Sequence, residues 1–163
     1  MITALTYWEE NIKGIHFKQA NDKEQVDIKV SFRSDNGKVA GQTITNFDSN
    51  GFIFDTHILL AEKAFGKQLN KNMDKNMIEY IAKHEIGHVF GLGHANFKES
   101  IMSALVYNSN NEISDCERKA VAKANKWKLL DKNAYQQKAK LKIMPANVSL
   151  QLRKINHTRM YWL

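Results

Sequence analysis

The residues that could do chemistry sit close together. The run His84-Glu85-Ile86-Gly87-His88-Val89-Phe90-Gly91-Leu92-Gly93-His94 holds three of the chain's 6 histidines. On a helix, positions i and i+4 share a face about 5–6 Å apart, so His84 and His88 can bind one metal ion together. Gly91 comes three residues later, where it can take a positive φ, end the helix and turn the chain so that His94 supplies a third nitrogen. Three imidazoles suit zinc and leave its fourth position to water, which separates a catalytic zinc site from a closed structural one. Glu85 is rotated about 100° around the helix from His84. That puts it beside the water rather than on the metal, able to take the water's proton as general base and hand it to a leaving amine. The bland alternative is an amphipathic helix carrying surface or core histidines. A two-histidine HExxH recurs by chance, but the added glycine and third histidine at fixed offsets favour the metal site.

These groups need a scaffold. From Asp74 to about Phe90, the apolar residues Met77, Ile78, Ile81, Ala82 and Val89 recur at helical spacing along with His84 and His88, and Asp74 is placed to cap the helix. Val26 to Phe32 alternates apolar and polar residues as a half-buried strand does, and Asp35-Asn36-Gly37 then marks a turn. Gly41 to Phe47 and Gly51 to Leu60 read as two more strands, joined through Asn50-Gly51 into an antiparallel pair. Asp48-Ser49-Asn50-Gly51, with Asp55 beyond it, offers oxygen ligands and a glycine but lacks the spacing and closing Glu of a calcium loop. A hairpin turn is the expectation there, and calcium the weaker alternative. A second helix is expected from about 114 to 128, opened by Ser114-Asp115-Cys116-Glu117 and continued by Val121, Ala122, Ala124 and Trp127.

Composition frames the result. With 163 residues, 43% apolar and 25% charged, and a single Pro, the chain is an ordinary globular domain rather than a collagenous or disordered one. No apolar run reaches the roughly 18–20 residues of a bilayer-spanning helix, and the first ten residues do not form a leader. As written the chain reads as cytoplasmic, or as secreted if a leader has been removed. Cys116 is alone, so no internal disulfide forms and a small half-buried residue is expected there. The net charge of +7 is unevenly spread, with 11 basic and 12 acidic residues up to His94 and 13 and 5 after it. The basicity belongs to the C-terminal part. Its tail holds an alternating run, Val148 to Leu152, and the aromatic pair Tyr161-Trp162 among lysines and arginines, and reads as a strand or a basic arm.

The motif at 84–94 resembles the metzincin clan of zinc peptidases, whose signature is HExxHxxGxxH followed by a methionine turn beneath the metal. Ile101-Met102-Ser103 comes after it at a spacing similar to the matrixin branch, and Met102 is the candidate for that turn. The resemblance implies an α+β zincin fold: a small mixed twisted sheet with an antiparallel edge strand, a long active-site helix, and a C-terminal subdomain with one helix. It implies a single catalytic domain over 1–163, divided into an N-terminal subdomain (1–94), a subdomain with Met-turn and helix (95–128) and a basic extension (129–163). Trp8 and Ile12 to Phe17 look like the end of the family's first helix and the segment after it, and Gly51 to Leu60 like the edge strand above the cleft, along which substrate lies extended. Tyr80 matches a position lining the main specificity pocket, and Tyr107 falls in the segment of that pocket's outer wall. The family's first strand has no counterpart before Trp8, so a trimmed chain, a smaller sheet or a replacement strand is expected, the alternating run 148–152 being the candidate for the last. Cys116 lies after the site, so thiol-ligated latency is not expected, and His57 is expected to be an ordinary strand histidine.

The leading function is therefore a zinc-dependent metalloendopeptidase that hydrolyses peptide bonds of protein or peptide substrates by Glu-assisted attack of the metal's water. One rival is a dedicated regulatory peptidase with a single protein target. Another, from a different class, is a module that holds metal structurally and binds nucleic acid or acidic surfaces through its basic C-terminal part. No nucleic-acid motif accompanies the lysines, and no membrane partner is expected.

Overall fold

The computed structural model describes residues 1–21, 25–34, 39–47, 49, 52–63, 73–105 and 112–124, together with the backbone of 139–142, 150–153 and 158–159. The chain is mixed α+β. Three helices, α1 (Ile2–Asn11), α2 (Lys75–Val89) and α3 (Asp115–Ala124), accompany strands β1 (Phe17–Gln19), β2 (Ile28–Arg33), β3 (Gly41–Phe47), β4 (Phe52–Ala61), β5 (Ala139–Lys142), β6 (Leu150–Arg153) and β7 (Thr158–Arg159). The sheet runs β1-β5-β6-β2-β4-β3, with β7 paired to the start of β4. It is mixed: β1 with β5 and β2 with β4 are parallel, and the other pairs are antiparallel.

The expected antiparallel pair of strands forms, Thr43 lying opposite Ile58 and Thr45 opposite Thr56. Its order corrects the expectation, however. The strand at 52–61 is internal, bonded to β2 on one side and β3 on the other, and the edge strand is β3. The physical reason is that β4 satisfies a parallel register with β2 through six residue pairs, from Ile28↔Thr56 to Arg33↔Ala61, which pushes its hairpin partner outward. The turn with Asp48, Asn50 and Gly51, and with it the calcium alternative, lies outside the described residues; Asp55 accepts from Asn46 Nδ2 at 3.0 Å.

In the tail, residues 150–152 of the alternating run lie antiparallel to Ile28–Val30 and so join the main sheet, as expected. A second strand, β5, stands between β6 and β1 and is not among the expected strands, although Lys138-Ala139-Lys140-Leu141-Lys142-Ile143 alternates polar and apolar residues as a strand does. Three-residue β1 is too short for alternation to register at all.

The core lies between sheet and helices. Ile58 and Leu60 of β4, Val30 of β2, Trp8 of α1 and Ile86 of α2 are all at most 1% exposed. Trp8 is the joint between helices: its ring lies 5.1 Å from Phe90, and its indole N–H donates to the Lys83 carbonyl at 2.9 Å. A buried indole without such a partner would be costly, so this bond fixes α1 on α2. His57 is on the face of β4 opposite the buried Thr56, Ile58 and Leu60, sharing a 2.9 Å hydrogen bond with Ser31. It is an ordinary strand histidine, as expected. Cys116 is exposed rather than half-buried, because the buried stripe of α3 runs through Glu117 and Val121.

Candidate metal centre

Both ends of α2 are fixed by local chemistry. Asp74 accepts from the Met77 N–H at 2.8 Å, the cap that the sequence indicated. At the other end Gly91 has φ 85°, and Gly91 N–H donates to His88 O at 2.9 Å while Leu92 N–H donates to Gly87 O at 3.1 Å. That bond pair is the Schellman termination, which needs a left-handed residue after the cap and so favours glycine. The turn brings the Leu92 carbonyl to 2.7 Å from His88 Nδ1 and delivers His94 to the histidine pair. Ala95 N–H then donates to Met102 O at 2.8 Å, pinning the segment after His94 to the turn that contains Met102.

The three imidazoles converge. Their ring centroids are 4.8, 4.9 and 5.3 Å apart, and one nitrogen from each lies within 4.8 Å of the others. His84 is the most enclosed and His94 is exposed. His84 Nδ1 stands 2.8 Å from the Ile101 carbonyl and His88 Nδ1 2.7 Å from that of Leu92. A carbonyl only accepts, so in each ring the proton is on Nδ1 and Nε2 carries a lone pair. Burial above all, with the neighbouring imidazoles adding to it for His84, holds His84 down at about 4 and lowers His88, so both rings are neutral at pH 7. The two Nε2 atoms are nevertheless 3.1 Å apart. Two lone pairs facing each other at that distance repel unless a cation lies between them. Nitrogens at about 2.0–2.1 Å from one tetrahedral zinc stand roughly 3.3 Å apart, a spacing the His84–His88 pair matches, with His94 close enough to close on the same ion.

Beside the tripod, Glu85 is 4% exposed. Burial pushes its carboxyl up to about 7, against a Thr43 hydroxyl that donates to Oε2 at 2.6 Å and partly lowers it. Gly41, two residues before Thr43 on the edge strand, passes so close that a Cβ there would meet Glu85 Oε1 at 2.4 Å. Met102 is 1% exposed and lies under Gly87: a Cβ on that glycine would meet the Met102 sulfur at 2.3 Å. Tyr80 is buried in the core one helical turn before His84, and Tyr107 falls outside the described residues.

The arrangement therefore brings together His84, His88, His94, Glu85 and Met102. Sequence reasoning missed Thr43, Gly41, Gly87 and the carbonyls of Ile101 and Leu92. Two of these left a signal, since an isolated glycine inside a strand or helix pattern marks a close approach.

A comparison with curated proteins finds no match. The matrixin peptidase family, in contrast, matches residues 1–125, which take in the three helices, the edge strand and the whole histidine tripod. With that match over most of its length, the chain belongs to the matrixin family.

Proposed function

We propose that the chain is a zinc-dependent endopeptidase acting on extended peptides, the activity to which its family points. The observation that carries this reading is the tripod of imidazoles with lone pairs converging beside a buried carboxyl. His84, His88 and His94 would hold the ion. When bound, zinc supplies Lewis acidity, lowering the pKa of a water and polarising the scissile carbonyl. Glu85 is the general base: it takes a proton from the attacking water and delivers it to the leaving nitrogen. Thr43 holds Oε2 and leaves Oε1 to carry that proton. Met102 forms the floor beneath the tripod, as the Met-turn.

Substrate adds to the outer side of β3, the edge strand among the described residues, as one more antiparallel strand. Alternate substrate side chains then face α2. A dedicated regulatory peptidase would use the same groups and differ only in substrate range.

The test is cleavage of a diverse peptide library by zinc-loaded protein and by the Glu85→Ala variant, with metal content measured for both. Wild type is expected to cut and the variant to bind zinc without cutting; a narrow or broad set of cut sites distinguishes the dedicated from the general enzyme. If both bind zinc and neither cuts a peptide, the endopeptidase reading fails.

A further inference from the structure

The helix α3 lies in a different part of the chain from the tripod, yet its first turn carries a carboxylate that is only 5% exposed, Glu117. Ordinary helix capping accounts for part of what Glu117 does. Its Oε2 accepts from the Ser114 N–H at 2.7 Å while its own N–H donates to Ser114 Oγ at 3.2 Å, the reciprocal capping box that Ser114-x-x-Glu117 encodes. The other oxygen is not needed for the cap. Oε1 accepts the hydroxyl of Ser100, which is 0% exposed, and lies 3.3 Å from the Met102 N–H; Ser100 Oγ accepts from that same N–H at 2.9 Å.

Ser100 and Met102 flank Ile101, the residue whose carbonyl stands 2.8 Å from His84 Nδ1. The peptide whose carbonyl orients His84 is therefore held at its own N–H, that of Met102, by one Ser–Glu pair. We infer that Ser100 and Glu117 are positioning residues for the metal site, fixing through the Ile101 carbonyl which nitrogen of His84 carries the proton and where the other one aims. Partners of this kind raise metal affinity by holding a ligand ring in its productive tautomer, and losing one typically costs 10–100-fold. The inference rests on the metal-site reading above, and its test is built to fail separately.

The experiment compares wild type, Ser100→Ala, Glu117→Gln and a control, Val121→Ala, which removes buried volume from α3 but none of the side-chain hydrogen bonds to the turn. Two quantities are read. The first is the zinc dissociation constant of the folded protein, by competition with a chromophoric chelator. The second is the tautomer of His84 in metal-free protein, by long-range proton–nitrogen correlation of the imidazole rings. Ser100→Ala and Glu117→Gln are expected to weaken zinc binding at least 10-fold and to lose the single Nδ1–H signature of His84. Val121→Ala is expected to lower stability while leaving both readouts within about twofold of wild type. If either turn variant keeps wild-type zinc affinity and the Nδ1–H signature, or the control loses them equally, the positioning role is overturned. Glu117→Gln preserves shape and serves if Ser100→Ala does not fold. Should wild type bind no zinc, the functional reading falls, while the metal-free tautomer measurement still decides the inference.

Discussion

Replacing Gly87 by alanine sets two known effects against each other. Alanine favours a helix interior over glycine by about 0.5–1 kcal/mol. Here, however, the new Cβ would stand 2.3 Å from the Met102 sulfur, 3.0 Å from its methyl carbon and 3.3 Å from Trp8 Cζ2. Ordinary contacts between such atoms are about 3.5–4.0 Å, so the sulfur would have to retreat by more than an ångström. Met102 is 1% exposed and Trp8 0%, leaving little room for that retreat. Forcing a methyl into a filled core costs roughly 1–3 kcal/mol, so the net effect is a loss of about 0.5–2 kcal/mol. Met102→Ala alone costs about 2–5 kcal/mol by leaving a cavity. In that background the overlap with the sulfur is gone, and Gly87→Ala is expected to be neutral or stabilising by up to about 1 kcal/mol. The double-mutant cycle should thus return a coupling of about 1–3 kcal/mol. Urea unfolding with excess chelator measures it without any contribution from bound metal. Equal losses from Gly87→Ala in both backgrounds, within about 0.5 kcal/mol, would refute the claim that Met102 occupies the space the glycine leaves.

Other expectations rest on the same geometry. Gly41→Ala places a carbon within 2.4 Å of Glu85 Oε1 and is expected to cut peptidase activity at least about tenfold while zinc content stays unchanged, by kinetics and metal analysis side by side. Thr43→Val leaves the buried Glu85 carboxyl without its 2.6 Å donor, and should destabilise the metal-free protein by about 1–3 kcal/mol in urea titrations. Zinc at a hundred times its dissociation constant should stabilise by about 2.7 kcal/mol, raising Tm by roughly 5–11 °C, and His94→Ala should abolish most of that gain. Burial lowers the pKa of His57, with Lys29 adding to the effect, so the folded state resists a proton that the unfolded chain accepts below about 6.5. That contribution is present above the unfolded value and lost as pH falls through it, so His57→Gln should flatten the stability curve between about pH 7 and 5.

What could be read from the sequence was local. The tripod spans eleven residues, so helix geometry and one glycine suffice to bring it together, and the Asp74 cap and the β3–β4 hairpin depend on neighbours only a few positions away. The order of the two hairpin strands was not legible, because only the long-range match of β4 with β2 decides which is outermost. Thr43 meets Glu85 across 42 positions for the same reason. Glu117 shows the limit within one residue: its capping partner is three positions away and visible, and its bond to Ser100, seventeen away, is not.

The order of strands in the sheet has a kinetic consequence. Gln19 pairs with Leu141 and Val30 with Leu150, so β1 and β2 are bridged only by strands that come far downstream, after all three helices. Such pairings carry a large loop-closure entropy and form slowly compared with helices and hairpins. During synthesis, α2 and its three histidines emerge whole while the flank of β2 still lacks its neighbour. An unpaired strand flank is a template for other chains, so nascent and refolding protein should be most prone to aggregate in that interval. A metal ion captured early would steady the helix but leave that flank open, and closure of the sheet by the tail, rather than assembly of the tripod, would set the pace of folding.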